Sequence, residues 1–187
     1  MSSPGSSGVG VVVPIDDITD AFTTRLVAHG DDRGTFVETY RKEWFSELPE
    51  MLQTNRSDKK AGAVVGLHYH LKQSDYWYVI SGTARVVLYD LRIGSPSQGH
   101  GWTRDISGKD HTGVYVPPGI GHGFSALTDV TLLYQVDAYY DPDDELGISW
   151  NDPEIAIDWG VEVPVVSQRD LLCPKLSDLA KSALPVY

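Results

Sequence analysis

The sequence predicts an all-β fold, a jelly-roll barrel with short peripheral helices. Short runs rich in β-branched and aromatic residues recur along the chain, as is typical of strands. Clusters of Gly, Pro, Asn and Asp separate these runs and indicate turns. Several short strands at this spacing favour a sandwich or a barrel. We predict strands at residues 35–40, 63–65, 76–80, 84–91, 113–116 and 130–136.

The remaining segments complete this organisation. Helical patterns are confined to residues 41–47 and 176–183, and Ser177 is a candidate N-cap of the second. The acidic run at residues 141–145 is predicted to be a solvated loop. Residues 1–10 are predicted to be a flexible segment. Because 187 residues with 41% apolar content can bury one sizeable core, we expect a single domain at residues 11–187.

Charge and cysteine content exclude several classes of partner. A formal net charge of -11 argues against nucleic acid and against an anionic membrane surface, because both attract basic proteins. The lone Cys173 allows no internal disulfide and fits a reducing compartment. No signal-peptide pattern and no apolar run of membrane-spanning length occurs. We therefore expect a cytoplasmic protein that binds neither nucleic acid nor membranes.

Two histidines and a carboxylate form the most informative cluster. His68 and His70 lie two residues apart on a predicted extended run, so both imidazoles point to one face. Asp75 follows five residues after His70, and a turn would return it beside them on the next strand. The element Pro117-Pro-Gly-Ile-Gly-His122 offers a third imidazole. This spacing indicates a cupin-type double-stranded β-helix.

About a dozen fragments between roughly residues 30 and 175 share the order and spacing of one enzyme family. They include Asp32-Arg-Gly34, Gln53-Thr-Asn-Arg-Ser57, Gly66-Leu-His-Tyr69, Pro118-Gly-Ile-Gly-His-Gly-Phe124 and Trp150-Asn-Asp-Pro153. The chain resembles the dTDP-4-dehydrorhamnose 3,5-epimerase family of cupin-fold enzymes. The resemblance implies a homodimeric epimerase that inverts C3, C5 or both in a dTDP-4-keto-6-deoxyhexose, in deoxysugar or rhamnose biosynthesis.

Epimerisation beside a ketone needs a base, a group that holds charge on the ketone oxygen, and an acid on the opposite face. The resemblance places the base on His68, paired with Asp170, and the acid on Tyr134. A carboxylate on one imidazole nitrogen fixes the tautomer and raises the basicity of the other nitrogen. The base, its carboxylate partner and the acid that the resemblance implies are therefore all present.

The resemblance also implies contacts to the nucleotide sugar. It places diphosphate contacts on Arg33, Gln53, Asn55 and Arg169, and places Phe36 and Glu38 near the base. In the family, the arginine that matches Arg33 reaches toward the ligand of the neighbouring subunit. We add four further candidate substrate-binding residues, His70, Asp75, His122 and Tyr139.

Arg169 replaces a lysine usual in the family, and three positions between residues 65 and 75 depart from the family pattern as well. Val65 replaces an arginine that holds phosphate, and Asp75 replaces a lysine expected to stabilise the enolate. Loss of one such donor typically costs about 100- to 1,000-fold in turnover. The family glutamine that follows the His-Tyr pair is His70 here. Unaided activity is therefore expected to be poor.

These changes create the three-histidine, one-carboxylate set of metal-dependent cupins, formed by His68, His70, Asp75 and His122. A metal-bound imidazole has no lone pair for a proton, so His68 cannot be ligand and base in one turnover. Three interpretations stay open. In the first, a protonated His70 paired with Asp75 supplies the positive charge that the family lysine would give. In the second, a metal bound by His70, Asp75 and His122 supplies that charge. In the third, the site has lost the chemistry.

We predict the first of these interpretations, and therefore no metal and no cofactor. The first rival function is a metal-dependent cupin isomerase or oxygenase that uses His68, His70, Asp75 and His122. The second rival is a non-catalytic sugar-nucleotide-binding protein, which the residues Val65 and Asp75 would suit.

Overall fold

The computed structural model describes residues 10–187, so the predicted flexible segment lies outside the described residues except for Gly10. The described chain is built mainly of strands. Numbered in chain order, they are β1 (Val11–Pro14), β2 (Phe22–Arg25), β3 (Ala28–Asp31), β4 (Gly34–Val37), β5 (Gln53–Lys59), β6 (Ala63–Tyr69), β7 (Asp75–Ser81), β8 (Thr83–Asp90), β9 (Gly101–Ser107), β10 (Thr112–Val116), β11 (Ile120–Ala126), β12 (Val130–Val136), β13 (Leu146–Gly147) and β14 (Val165–Val166).

The strands form two large sheets and one small hairpin. The first sheet has the order β1-β2-β10-β7-β12-β5. The second has the order β13-β6-β11-β8-β9, and β14 adds to it in parallel beside β6. Within residues 10–187, strands β3 and β4 pair only with each other. The predicted all-β fold is confirmed. The strand order is non-sequential because the chain crosses between the two large sheets, as in a jelly roll and unlike a meander.

The helices are short. The one α-helix among the described residues, α1 (Gln168–Leu171), begins after Ser167, whose hydroxyl accepts a hydrogen bond from the Asp170 backbone N–H. The helix predicted at residues 41–47 is a 3-10 helix at Lys42–Phe45. The sequence pattern did not predict α1, although Ser167 provides a recognisable N-cap.

The predicted C-terminal helix at residues 176–183 is wrong. Two 3-10 turns, Leu176–Asp178 and Lys181–Ala183, occupy this segment instead, and Ser177 lies inside the first turn rather than capping it. Leu176 and Leu179 both pack against a buried cluster that contains Leu91 and Ile148. Contacts with the barrel therefore outweigh the weak intrinsic preference of this short segment for a helix.

The main core lies between the two large sheets. Alternate residues of β8, Ala84, Val86 and Leu88, point into it, as the two-residue period of a strand requires. Strand β7 is buried on both faces, since Trp77 enters the core and Tyr76 packs on the other side in a second aromatic cluster. Strand β7 is thus a rigid support for the side chains at its ends.

A close approach of two backbones aligns β6 with β11. Gly66 has φ +109°, and a Cβ built on it would lie 2.7 Å from the carbonyl oxygen of His122. Only glycine allows this conformation and this contact without strain. The resulting register places His122 of β11 directly opposite His68 of β6.

Candidate active site

A cavity of about 230 Å³ lies between the two large sheets. Strands of both sheets contribute to its wall, together with the loops that follow β6 and precede β13. The lining residues are Ser57, Lys59, Val65, His68, His70, Gln73, Asp75, Trp77, His122, Gly123, Phe124, Leu132, Tyr134, Glu145 and Arg169. The fold therefore gathers His68, His70, Asp75, His122, Tyr134 and Arg169, all predicted site residues, around one space.

His68 and Asp170 form a hydrogen-bonded pair although they lie 102 residues apart. The Nε2–H of His68 donates to Oδ1 of Asp170 over 2.7 Å, and the Gly66 N–H donates to Oδ2 over 3.3 Å. Burial alone would raise the pKa of Asp170, but these hydrogen bonds hold it below its ordinary value. Asp170 is thus ionised at neutral pH, which leaves Nδ1 of His68 as the proton-accepting nitrogen.

The predicted hydrogen-bonded pair of His70 and Asp75 is absent. Nε2 of His70 lies 4.0 Å from Oδ1 of Asp75, beyond hydrogen-bond reach. The two oxygens of Asp75 instead accept hydrogen bonds of 2.9 Å from Gln73 Nε2 and Trp77 Nε1. The other nitrogen of His70, Nδ1, donates to the Asp144 carbonyl oxygen over 2.7 Å. Asp75 and His70 therefore have different hydrogen-bond partners.

Asp144 orders the loop that follows β6. Its carboxylate accepts hydrogen bonds from the backbone N–H groups of Leu71, Lys72 and Gln73, at 2.6, 3.1 and 3.3 Å. Asp144 itself is buried. The predicted solvated loop at residues 141–145 is therefore wrong at this residue, because three amides draw its carboxylate inward.

His122 is a neutral imidazole in this setting. Burial lowers its pKa to about 4, although the charge of Asp75 acts in the opposite direction. Its Nδ1–H donates to the Ile120 carbonyl oxygen over 2.9 Å. The ring centroid lies 5.2 Å from that of His70 and 5.4 Å from that of Trp77, edge to face with the indole.

His70, Asp75 and His122 bring three potential metal-ligand atoms within 4.8 Å of one another. All three residues are buried. His68 is not part of this group in the described residues, and its Nε2 is hydrogen-bonded to Asp170. The four-ligand set predicted for the rival metal-dependent function therefore reduces to two histidines and one aspartate.

Tyr134 enters the cavity from the first sheet. Strand β12 places it opposite Trp77 of β7 and Asn55 of β5. Burial raises the pKa of its phenol, and the negative charges of Asp75 and Glu145 raise it further. The hydroxyl is therefore protonated at neutral pH and able to donate a proton.

Several predicted site residues lie outside the cavity wall of the described chain. Phe36 and Arg33 belong to the exposed β3–β4 hairpin, where Arg33 pairs with Asp31. The remaining ones are Glu38, which faces Arg41 at 3.5 Å, Gln53 and Asn55, whose side chains share a 2.7 Å hydrogen bond, and Tyr139, which is 69% exposed. The cavity of one chain does not contact these side chains.

Lys59 is a cavity cation that the sequence pattern did not identify. Alternate residues of β5, Gln53, Asn55, Ser57 and Lys59, share one partly buried face. Within residues 10–187 no carboxylate lies within 4.0 Å of the Lys59 ammonium. Arg169, the other cationic residue of the wall, is bound to Glu145 at 2.8 Å. The alternation within β5 is the signal that would have placed Lys59 beside Gln53 and Asn55.

The family model of dTDP-4-dehydrorhamnose 3,5-epimerase matches residues 16–178. The chain belongs to this family. It is 35% identical over 161 residues to the dTDP-4-dehydrorhamnose 3,5-epimerase of Neisseria gonorrhoeae, an alignment that covers 82% of this chain and 49% of that protein. It is 36% identical over 166 residues to the dTDP-4-dehydrorhamnose 3-epimerase of Streptomyces niveus, covering 84% and 80% of the two chains. The predicted family is confirmed, and its members are isomerases.

Solved structures of this epimerase family share the fold. NovW, a 4-keto-6-deoxy sugar epimerase of Streptomyces spheroides, matches with a TM-score of 0.89 and 32% identity, covering 100% of this chain and 97% of that one. The epimerase of Legionella pneumophila in complex with dTDP-4-keto-L-rhamnose also gives 0.89, with 28% identity and coverage of 96% and 99%. The predicted cupin-type jelly roll is thereby confirmed.

The chain spans about half the length of its Neisseria gonorrhoeae relative. Within residues 10–187, none of the helices has the length and apolar character needed to cross a bilayer.

Proposed function

We propose that this member of the epimerase family inverts C3, C5 or both in a dTDP-linked 4-keto-6-deoxyhexose. One observation carries the proposal. His68, hydrogen-bonded to Asp170, and Tyr134 come from opposite sheets and line the same cavity. A base and an acid on two sides of one bound carbon are what inversion requires. The Legionella pneumophila relative, which binds dTDP-4-keto-L-rhamnose, supports the substrate class.

In this mechanism His68 removes the proton beside the ketone through Nδ1, and Asp170 stabilises the imidazolium that forms. The electron pair of the broken C–H bond forms a carbon–carbon double bond, and the carbonyl π pair moves to the ketone oxygen. Tyr134 then donates its phenolic proton to the opposite face of the same carbon. The product differs from the substrate only in configuration, and both catalytic groups regain their starting state through solvent.

The direct test is solvent deuterium exchange into dTDP-4-keto-6-deoxyglucose, followed by NMR at C3 and C5. We expect deuterium at each carbon that the enzyme inverts. Exchange at one position alone identifies a mono-epimerase of the Streptomyces niveus type. If the nucleotide sugar binds and neither carbon exchanges, the chain is a non-catalytic sugar-nucleotide-binding protein.

Lys59 supplies a cation for the diphosphate where Val65 offers none. It shares the inward face of β5 with Gln53 and Asn55, which extends the row of polar side chains from the cavity. Lys59→Met should raise KM for the nucleotide sugar by roughly 10-fold with kcat little changed. The reason is that phosphates remote from the reacting carbon are bound equally in the ground state and in the transition state. Steady-state kinetics measures both constants.

Lys60→Met is the matched control for Lys59. Lys60 is the next residue along the chain, but it is exposed and binds Asp129 at 2.8 Å. Its KM should stay near that of the unchanged protein. Equal KM values for the two variants would remove Lys59 from the diphosphate site.

We also propose a homodimer in the cytoplasm. The β3–β4 hairpin has little contact with the body of its own chain, and Phe36 on it is 64% exposed. Arg33 on the same hairpin lies outside its own cavity wall, which suits a contact with the site of a second copy. Light scattering at micromolar concentration should give twice the chain mass, whereas an active monomer would contradict this arrangement. The unpaired Cys173 supports a reducing compartment.

A further inference from the structure

Three buried side chains of the cavity wall form a compact group of the types that bind transition metals. His70, Asp75 and His122 are each about 95% buried and offer three potential ligand atoms within 4.8 Å. We propose that they bind a divalent transition-metal ion beside the His68–Asp170 pair. Two imidazoles and one carboxylate suit Zn²⁺, Fe²⁺ and Mn²⁺, and three protein ligands leave positions open for substrate or water.

The orientation of both imidazoles is that of metal ligands. A carbonyl oxygen can only accept a hydrogen bond, so Asp144 and Ile120 fix the ring protons of His70 and His122 on Nδ1. In the neutral form of each ring, Nε2 is therefore the unprotonated nitrogen. Metal-bound histidines almost always donate their other N–H to a carbonyl or a carboxylate in this way.

The charge of Asp75 lacks a cationic partner. Gln73 and Trp77, which donate to its two oxygens, are neutral. Within residues 10–187 no lysine or arginine lies within 4.0 Å of this carboxylate, and the imidazole of His70 reaches it only at 4.0 Å. Buried charges in proteins are normally paired or bound to metal. An ion between Asp75 and the two histidines would supply the missing positive charge.

The distances require only a small adjustment. Nε2 of His70 and Oδ1 of Asp75 lie 4.0 Å apart. On a tetrahedral ion with bonds of ~2.0–2.1 Å, two ligand atoms lie ~3.4 Å apart. Because the three ligand atoms lie within 4.8 Å of one another, side-chain rotations that shorten each separation by up to ~1.4 Å complete the site. The backbones that carry the ligands belong to, or directly follow, strands of the barrel and need not move.

The role of the ion rests on the proposed function. In the family that the chain resembles, a lysine expected to stabilise the enolate oxygen stands at the position of Asp75. The bound ion takes over this stabilisation. As His68 removes the α-proton, the ketone oxygen in an open coordination position gains negative charge, which the ion stabilises as a Lewis acid. Because His68 is not part of the ligand set, base and metal do not compete for one lone pair.

Zinc titration of the chelator-stripped, full-length protein tests the site without substrate. Isothermal calorimetry should give one ion per chain with a Kd of about 1 µM or tighter. The changes His70→Gln, Asp75→Asn and His122→Gln should each weaken binding by roughly 100-fold. His100→Gln, at an exposed histidine, is the control and should bind like the unchanged protein.

Thermal unfolding separates lost binding from lost folding. Each variant should show a cooperative transition without metal, and zinc should raise Tm for the unchanged protein and His100→Gln alone, because only a ligand that binds the folded state stabilises it. The metal site is refuted if the unchanged protein binds zinc no more tightly than about 100 µM. It is equally refuted if folded ligand variants bind zinc as the unchanged protein does.

Deuterium exchange with stripped and zinc-reloaded protein tests the role of the ion. Stripping should reduce α-proton exchange by at least about 100-fold, as loss of a charge-stabilising donor does, and zinc should restore it. Exchange that is indifferent to stripping, in a protein that binds zinc, refutes the catalytic role and leaves the proposed epimerase intact. Absence of exchange in both forms refutes the proposed function, while the titration still decides the metal site.

Discussion

Replacement of His68 by alanine, or of Asp170 by asparagine, should reduce α-proton exchange by at least about 100-fold, the lower range for loss of a general base. The first change removes the base. The second removes the charge that orients the ring and stabilises its protonated form, while preserving the size of the side chain. NMR exchange rates measure the loss, and substrate affinity should change little.

The His68 and Asp170 variants need two separate controls, one for surface charge and one for folding. Asp178→Asn alters an exposed carboxylate eight residues along the chain from Asp170 and should leave exchange unchanged. Asp170 is buried and anchors the Gly66 N–H, so the Asp170→Asn protein must first show a cooperative unfolding transition. A folded variant of either residue that exchanges at the original rate would mean that another group is the base.

Tyr134→Phe should separate exchange from inversion. Without the phenol, His68 still removes the α-proton, and the enolate regains a proton from solvent through the same side. We therefore expect exchange to remain within roughly 10-fold of the original rate while formation of the epimer falls by about 100-fold or more. One NMR time course reports both quantities, from loss of the proton signal and from the appearance of the product.

Tyr140→Phe is the matched control, because Tyr140 is 70% exposed. Parallel loss of exchange and inversion in Tyr134→Phe would assign Tyr134 to substrate positioning. Unchanged inversion would remove it from the mechanism as the acid.

Long strands with apolar, β-branched runs were predictable from sequence, whereas polar or glycine-rich strands and the short apolar strand β1 were not. Strand β8 was predictable because its alternate residues Ala84, Val86 and Leu88 are apolar and buried. Strand β5 is polar on both faces, because one face meets solvent and the other faces the cavity. Strand β11 contains two glycines and suggests a turn, yet it is buried throughout. A Cβ on Gly123 would lie 2.5 Å from the Val65 carbonyl oxygen, so tight sheet packing selects glycine there.

In the candidate site, too, some contacts were predictable from sequence and others were not. The spacing of His68 and His70 predicted that both face one space, and both line the cavity. Asp170 joins His68 from 102 residues away, and only the resemblance to a known family indicated that contact. The partner of His70, the backbone carbonyl of Asp144, carries no side-chain signature at all. Hydrogen bonds to main-chain atoms across distant segments depend on the completed fold.

Asp144 links the two sides of the cluster formed by His70, Asp75 and His122. Its carbonyl holds the ring of His70, and its carboxylate holds the loop whose Gln73 binds Asp75. One residue thus restricts the rotamers of two others before any ligand arrives. The loss of conformational entropy occurs during folding, so an incoming ion or enolate oxygen meets an already ordered cluster and the unfavourable entropy of its binding is smaller.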